Sequence, residues 1–327
     1  MPTANAYPDL LRAASQLRNV ELLEEPVRAQ PESQRAFLAA NGDVLATIRD
    51  HLRRPCSVPL EFVDTFFERH LGDVQLIRTI TRALQADAEL AISRGETTAA
   101  PRTAIELLLL SNGVSRGGLV TDALVGNGIA GTGLQILREV RADIDHDLQN
   151  EVLEALGNFD RDREPFHEIR TRDDEWTRRV GWQDEPLDTE SFLESLGASG
   201  PDVQETLDLI QQVACAGDSN QPEALETAGD HRVRALARLL QTDIALRQCR
   251  DADGSFPSDL AELVPSFLPA VPIDPFSDKP LLYRRTSSTE FLLYSAGPKR
   301  FDGGGRLGTW LDVTCGDADL LLDTQHV

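Results

Sequence analysis

GVSRGGLVTDALVGNGIAGTG, residues 113–133, carries two catalytic spellings at once. Gly113-Val-Ser115-Arg-Gly117 fits the G-x-S-x-G nucleophile elbow, and Gly126-Asn-Gly128-Ile-Ala-Gly131 fits the G-x-G-x-x-G dinucleotide fingerprint. Each works only in its own context: a strand, a sharp turn and a helix for the first, a strand opening into a helix for the second. IELLLLSNGVSRGGLV imitates the local part of an elbow. Residues 134–216, however, contain no β-branched run that could supply the remaining parallel strands. The histidines there, His146 and His167, fall in highly charged helical segments. GLVTDALV likewise continues as a helix, with no strand before the glycines and none after to place an acid beside a ribose. On one helix Gly126, Ala130 and Gly133 fall at i, i+4 and i+7, a stripe without bulk against which a second helix can close. Gly113 is then expected to stop a helix, and Gly117-Gly118 to form a turn. A serine hydrolase using Ser115 is left as a distant third reading.

Working outward, the chain of 327 residues is long enough for two domains. Its net charge of −22 opposes binding to a phosphate backbone, so nucleic acid is excluded as a partner. Residues 229–327 carry 14 Asp/Glu against 11 Lys/Arg, which puts nearly all of the negative charge before them. Cys56, Cys215, Cys249 and Cys315 form no C-x-x-C pair and read as single thiols. No run of 18 apolar residues occurs, and MPTANAYPDLLRAA lacks the apolar core of a signal peptide.

Residues 1–220 read as an all-α domain. A helix is expected from Pro31 to about Arg54, and another over 75–93 with Ile77, Ile80, Leu84, Ala88 and Ala91 on one face. After the turn RGETTAAP, a helix from about Pro101 carries Ile105, Leu108 and Leu109, making a helical hairpin of tetratricopeptide type. Further helices are expected near 144–158, 163–179, 188–197 and 201–216. Residues 221–327 read as an α+β domain. A long Arg-rich helix ending near Arg250 reads as amphipathic, with Ser258 capping a short helix and LLYRR (281–285) and EFLLYSAG (290–297) as paired strands. The fold class is therefore mainly α with a C-terminal α+β domain.

The pieces Asp253–Pro257, Leu260–Pro265, Val271–Phe276, Leu281–Arg284 and Phe291–Gly297, followed by an Asp/Gly-rich loop from Asp302, stand in a definite order. In order and spacing they resemble the globular domain of the major pseudopilin of type II secretion systems, over about residues 230–323. The chain departs from that family in having some 220 residues where a pseudopilin has its peptidase site and apolar helix. The layout as a whole resembles planctomycete proteins with a membrane anchor, a helical domain and a pseudopilin-like tail. That resemblance implies an ectodomain on the extracytoplasmic side, touching the membrane only through an upstream anchor.

The resemblance also implies calcium in the C-terminal loop, where FDGGGRLGTWLDVTCGDADLLL offers Asp302, Asp312, Asp317 and Asp319. The calcium ligands are expected among Asp302, Asp317 and Asp319. Hard carboxylate oxygens suit Ca²⁺, while the alternative for the same residues is solvated surface acid. DADG at 251–254 is no EF-hand, since Phe256 stands where that loop needs glycine. The functional expectation is a non-enzymatic structural or assembly protein with protein partners. The alternative is a helical scaffold whose α/β tail is a stabilising cap, and an apolar groove on the helical domain would favour partner binding.

Overall fold

The computed structural model describes residues 5–23, 31–181, 222–298, 300–305 and 319–322. Eight helices and two small antiparallel sheets are present among them, so the protein is mainly α with a C-terminal α+β region. The helices expected at 188–197 and 201–216 lie outside the described residues. The chain groups into two compact units. One takes residues up to Ile144 and resumes at Asp162, and the other takes Asp145–Arg161 together with the C-terminal segment. The sequence reading had put residues 145–161 with the helical domain.

The first unit contains α1 (Tyr7–Ala14), α2 (Pro31–Leu52), α3 (Phe66–Ser93), α4 (Ala99–Ser115), α5 (Val120–Val140) and α7 (Phe166–Val180). The stripe predicted for α3 is buried along its length, from Ile77 to Ala91. The helix starts nine residues earlier than predicted, which adds Phe66, His70 and Val74 to the same stripe. On α4 the predicted face is rotated. Ala104, Leu107 and Leu108 are buried, whereas Leu109 is 45% exposed. The reason lies on α5: a side chain at Gly133 would meet the Ala104 carbonyl at 3.0 Å and Leu107 Cβ at 3.2 Å. Gly126 is closer still, its Cβ position lying 2.0 Å from Ser115 Oγ and 2.9 Å from the Ser111 carbonyl. The two helices therefore close along the Gly126–Ala130–Gly133 stripe. Burying leucines such as Leu107, Leu134 and Leu137 on either side stabilises the pair by roughly 2 kcal/mol each. That gain outweighs the helix propensity lost at each glycine, about 1 kcal/mol.

The second unit contains α6 (His146–Asp162, all but its last residue), α8 (Pro222–Asp253) and the strands. The expected amphipathic face of α8 is not what forms. From Ala235 to Cys249 nearly every residue is buried or half-buried, around the whole helix. Arg234, Arg238 and Arg247 are compatible with burial because each is paired. Arg234 meets Asp160 at 2.9 Å and Asp230 at 2.8 Å, Arg238 meets Asp160 at 2.7 Å, and Arg247 meets Asp243 at 2.7 Å. After α8 a 3-10 turn, Leu260–Leu263, is capped by Asp259, whose carboxylate accepts from Ala261 N at 2.7 Å. Ser258 is not the cap; its backbone N–H and hydroxyl both donate to Glu262.

Strands β1 (Ile273–Asp274) and β2 (Lys279–Pro280) pair as a small ribbon. Strand β3 (Leu282–Arg285) pairs antiparallel with β4 (Phe291–Ser295), matching Leu282 with Tyr294 and Arg285 with Phe291, as the sequence predicts for a hairpin. Strand β5 (Leu320–Leu321) adds to the far side of β4. Helix α8 packs on β4, on β1 and on the 3-10 turn.

Candidate functional site

Neither catalytic spelling is built. Ser115 is the last residue of α4, preceded by helix rather than strand. It is 2% exposed, and its hydroxyl donates to the Ser111 carbonyl one turn back at 2.9 Å. The dinucleotide glycines lie inside α5, not in a loop opening it. Gly113 does not stop α4 as expected; it sits within the helix, with Cys56 directly against it. The turn comes at Gly117, whose φ of +73° is a conformation that side chains resist. His146 and His167 lie on exposed helix faces, as the charged sequence around them implies.

The acidic C-terminal loop brings Asp302 and Asp319 together around Gly303–Gly305. Asp319, 2% exposed, accepts from Gly303 N at 3.2 Å through Oδ1 and from Gly305 N at 2.8 Å through Oδ2. Asp302 Oδ1 accepts from Gly304 N at 2.7 Å and from the Tyr294 hydroxyl at 2.8 Å. Burial and the Asp302 charge together push the Tyr294 hydroxyl up to about 12. The carboxylate oxygens suit Ca²⁺ in kind, but two carboxylates fall short of the six to eight oxygens that ion takes. Asp312 and Asp317 lie outside the described residues. Among the described residues no group of three His, Cys, Asp or Glu is placed to hold a metal.

A second carboxylate organises the same unit, and the sequence reading did not single it out. Asp274 on β1 is 1% exposed. Its Oδ1 accepts from Phe276 N at 3.0 Å and Ser295 Oγ at 2.9 Å, and its Oδ2 from Ala296 N at 2.8 Å and Ser277 Oγ at 3.3 Å. It thus fastens the turn after β1 to the end of β4.

Beside β1 an open groove of about 570 Å³ runs between α6, α8 and the Leu268–Ile273 segment. It is lined chiefly by Leu153, Gly157, Leu268, Pro269, Val271 and Ile273. Arg238, also on its wall, bonds Asp160 and the Ile273 carbonyl. This groove lies on the second unit, not on the helical domain where such a groove would have favoured partner binding.

In the first unit the residue missed was His70. Its ring is 2% exposed, with Nε2 2.6 Å from Asp122 Oδ1 and Nδ1 3.6 Å from Asp73 Oδ2. Phe66 stacks on it at 4.9 Å and Tyr7 at 6.4 Å. Burial alone would pull the imidazolium down, but Asp122 and then Asp73 outweigh it and leave the group above its usual 6.5. Burial pushes the Cys56 thiol up to about 12 and the Cys249 thiol to about 11, so neither is an activated nucleophile at neutral pH.

No protein-family model, curated protein or solved structure matches the chain. No described helix is long and apolar enough to cross a membrane.

Proposed function

We propose that this chain is a non-enzymatic structural or assembly protein of the extracytoplasmic face, joining a helical interaction unit to a pseudopilin-like α+β unit. The observation that supports the reading is the C-terminal order of elements. A 32-residue helix is followed by a capped 3-10 turn, a short ribbon, an antiparallel hairpin and a carboxylate-held glycine loop. These are the pieces, in sequence, on which the resemblance to the major pseudopilin rests. The groove beside β1 favours protein binding over catalysis. Its walls are mostly aliphatic and proline, and of the charged residues that line it, Glu154, Asp160, Arg161 and Arg238, Asp160 and Arg238 are paired with each other. Calcium belongs to the proposal as an ion that orders the 302–319 loop.

The alternative keeps partner binding on the helical unit, where Leu109 and Leu124 are 45% and 44% exposed, and makes the second unit a cap. A photo-crosslinking amino acid placed in the full-length gene product separates the two in intact cells. Adducts from position 273 to an extracytoplasmic protein are expected. Adducts from positions 109 and 124 alone favour the scaffold. Adducts from all three positions to cytoplasmic proteins would refute the compartment.

A further inference from the structure

His70 carries a consequence beyond packing. A neutral histidine donates from one ring nitrogen and accepts at the other, and only the imidazolium donates from both. Here both nitrogens face carboxylates: Asp122 from α5 at 2.6 Å, and Asp73 from its own helix at 3.6 Å. The Asp122 carboxylate also holds the start of α5, its Oδ2 accepting from Leu119 N at 2.8 Å. One side chain therefore joins the α5 N-terminus to the α3 imidazole. The other titratable or charged groups around the clasp are the Tyr7 phenol on α1, the Cys56 thiol in the connection before α3, Arg69 beside Asp73, and Asp173 on α7, which accepts from Val120 N at 2.9 Å. Burial keeps the phenol and the thiol neutral at ordinary pH. Phe66 and Tyr7 both stack on the ring, which fixes its orientation between the two carboxylates.

We propose that His70 and Asp122 form a pH-gated clasp fastening the N-terminus of α5 to α3, closed when both ring nitrogens are protonated and loosened when the proton facing Asp73 leaves to solvent. The doubly protonated ring donates to Asp122 from Nε2 and holds its second N–H against the Asp73 carboxylate as an ion pair. The singly protonated ring keeps its proton on Nε2 toward Asp122 and turns a lone pair toward the Asp73 carboxylate, which repels it. Opening the α5 end removes Asp122 from the ring, so the closed state binds the proton more tightly than the open one. By linkage, the clasp weakens as pH rises through the midpoint of the closed state.

The test is ¹⁵N NMR titration of the His70 ring in the whole chain, with hydrogen-exchange protection factors for Leu119–Ala123 from pH 5.5 to 9. We expect a ring midpoint above 6.5. Protection of these amides should fall through it by up to about tenfold per pH unit separating closed and open midpoints. His70→Gln, which keeps a donor and loses the charge, should make protection independent of pH. Asp73→Asn leaves the buried pair in place and should move the midpoint down; it serves if His70→Gln does not fold. A midpoint at or below 6.5, or a pH profile that survives His70→Gln, overturns the clasp. So does a midpoint unchanged in Asp73→Asn.

Discussion

Two histidines, one in each unit, are driven in opposite directions by what surrounds them. His70 lies between two carboxylates and is held above 6.5. His231 on α8 packs edge-on against Phe276 at 5.6 Å, and burial leads the causes that hold it below 6.5. The first contributes stability below the unfolded-state value, lost as pH rises through the folded one. The second contributes stability above the unfolded-state value, lost as pH falls through its folded one. The contrast extends to the aspartates. Asp122 relies on a titrating ring and one backbone N–H, whereas Asp274 is held by two backbone N–H groups and two hydroxyls, none of which titrates near neutrality. Asp319, Asp302 and Asp259 in the second unit also grip backbone N–H groups. The helical unit is closed by a bulk-free stripe and a charge pair, and the α+β unit by carboxylates wrapped in backbone donors.

The largest effect should come from Asp274. Replacing it with alanine leaves Phe276 N, Ala296 N and Ser295 Oγ buried without their acceptor, at about 1–3 kcal/mol for each group left unsatisfied. We expect a loss of about 4 kcal/mol in urea unfolding, carried by the second unit. A loss below about 1 kcal/mol would remove Asp274 from the comparison.

Gly126→Val should follow, costing about 3 kcal/mol by overpacking against Ser115 and the Ser111 carbonyl. Ser115→Ala alone should shift the melting temperature little and abolish no activity, and combined with Gly126→Val it should recover part of the loss because the two sites touch. Strict additivity would mean that the helices are not closed at this point. Covalent labelling of Ser115 by a fluorophosphonate would contradict its burial.

These positions differ in how far the sequence exposed them. The stripe Gly126–Ala130–Gly133 was legible because helical spacing alone puts the three on one face. The hairpin was legible because two apolar runs flank a polar turn. His70 was missed because FFERHLGD mixes charge with aromatic residues and hid the first turns of α3. Asp274 was missed because its partners Ser295 and Ala296 lie some twenty residues away, a pairing that periodicity does not carry. The face of α8 was misjudged for a related reason. Arg234 and Arg238 look like solvent-facing residues until Asp160, far back on α6, is placed beside them. The cap was misplaced by one residue, since Ser258 and Asp259 are both good caps and only the backbone distinguishes them.

Calcium sharpens the second half of the comparison. If the ion binds the folded loop alone, it adds up to about 2.7 kcal/mol at a hundredfold excess over its dissociation constant. The melting temperature should rise with Ca²⁺, fall with chelator and respond less to Mg²⁺, and Asp317→Ala or Asp319→Ala should remove the response. A melting curve indifferent to Ca²⁺ and to EDTA, on metal-free protein, would remove calcium from the account and leave Asp302 and Asp319 as acceptors for protein donors.

The smallest effects per group, and the most direct test of the contrast, are the opposed pH responses of the two units. Hydrogen exchange on the whole chain at pH 5.5, 7 and 8.5, expressed as protection factors, reads both units in one sample. Protection around Leu119–Ala123 should be highest at pH 5.5 and decline upward. Protection in α8 beside His231 and at Phe276 should be lowest at pH 5.5 and recover by pH 7. Parallel responses of the two units, or no response in either, would contradict the account.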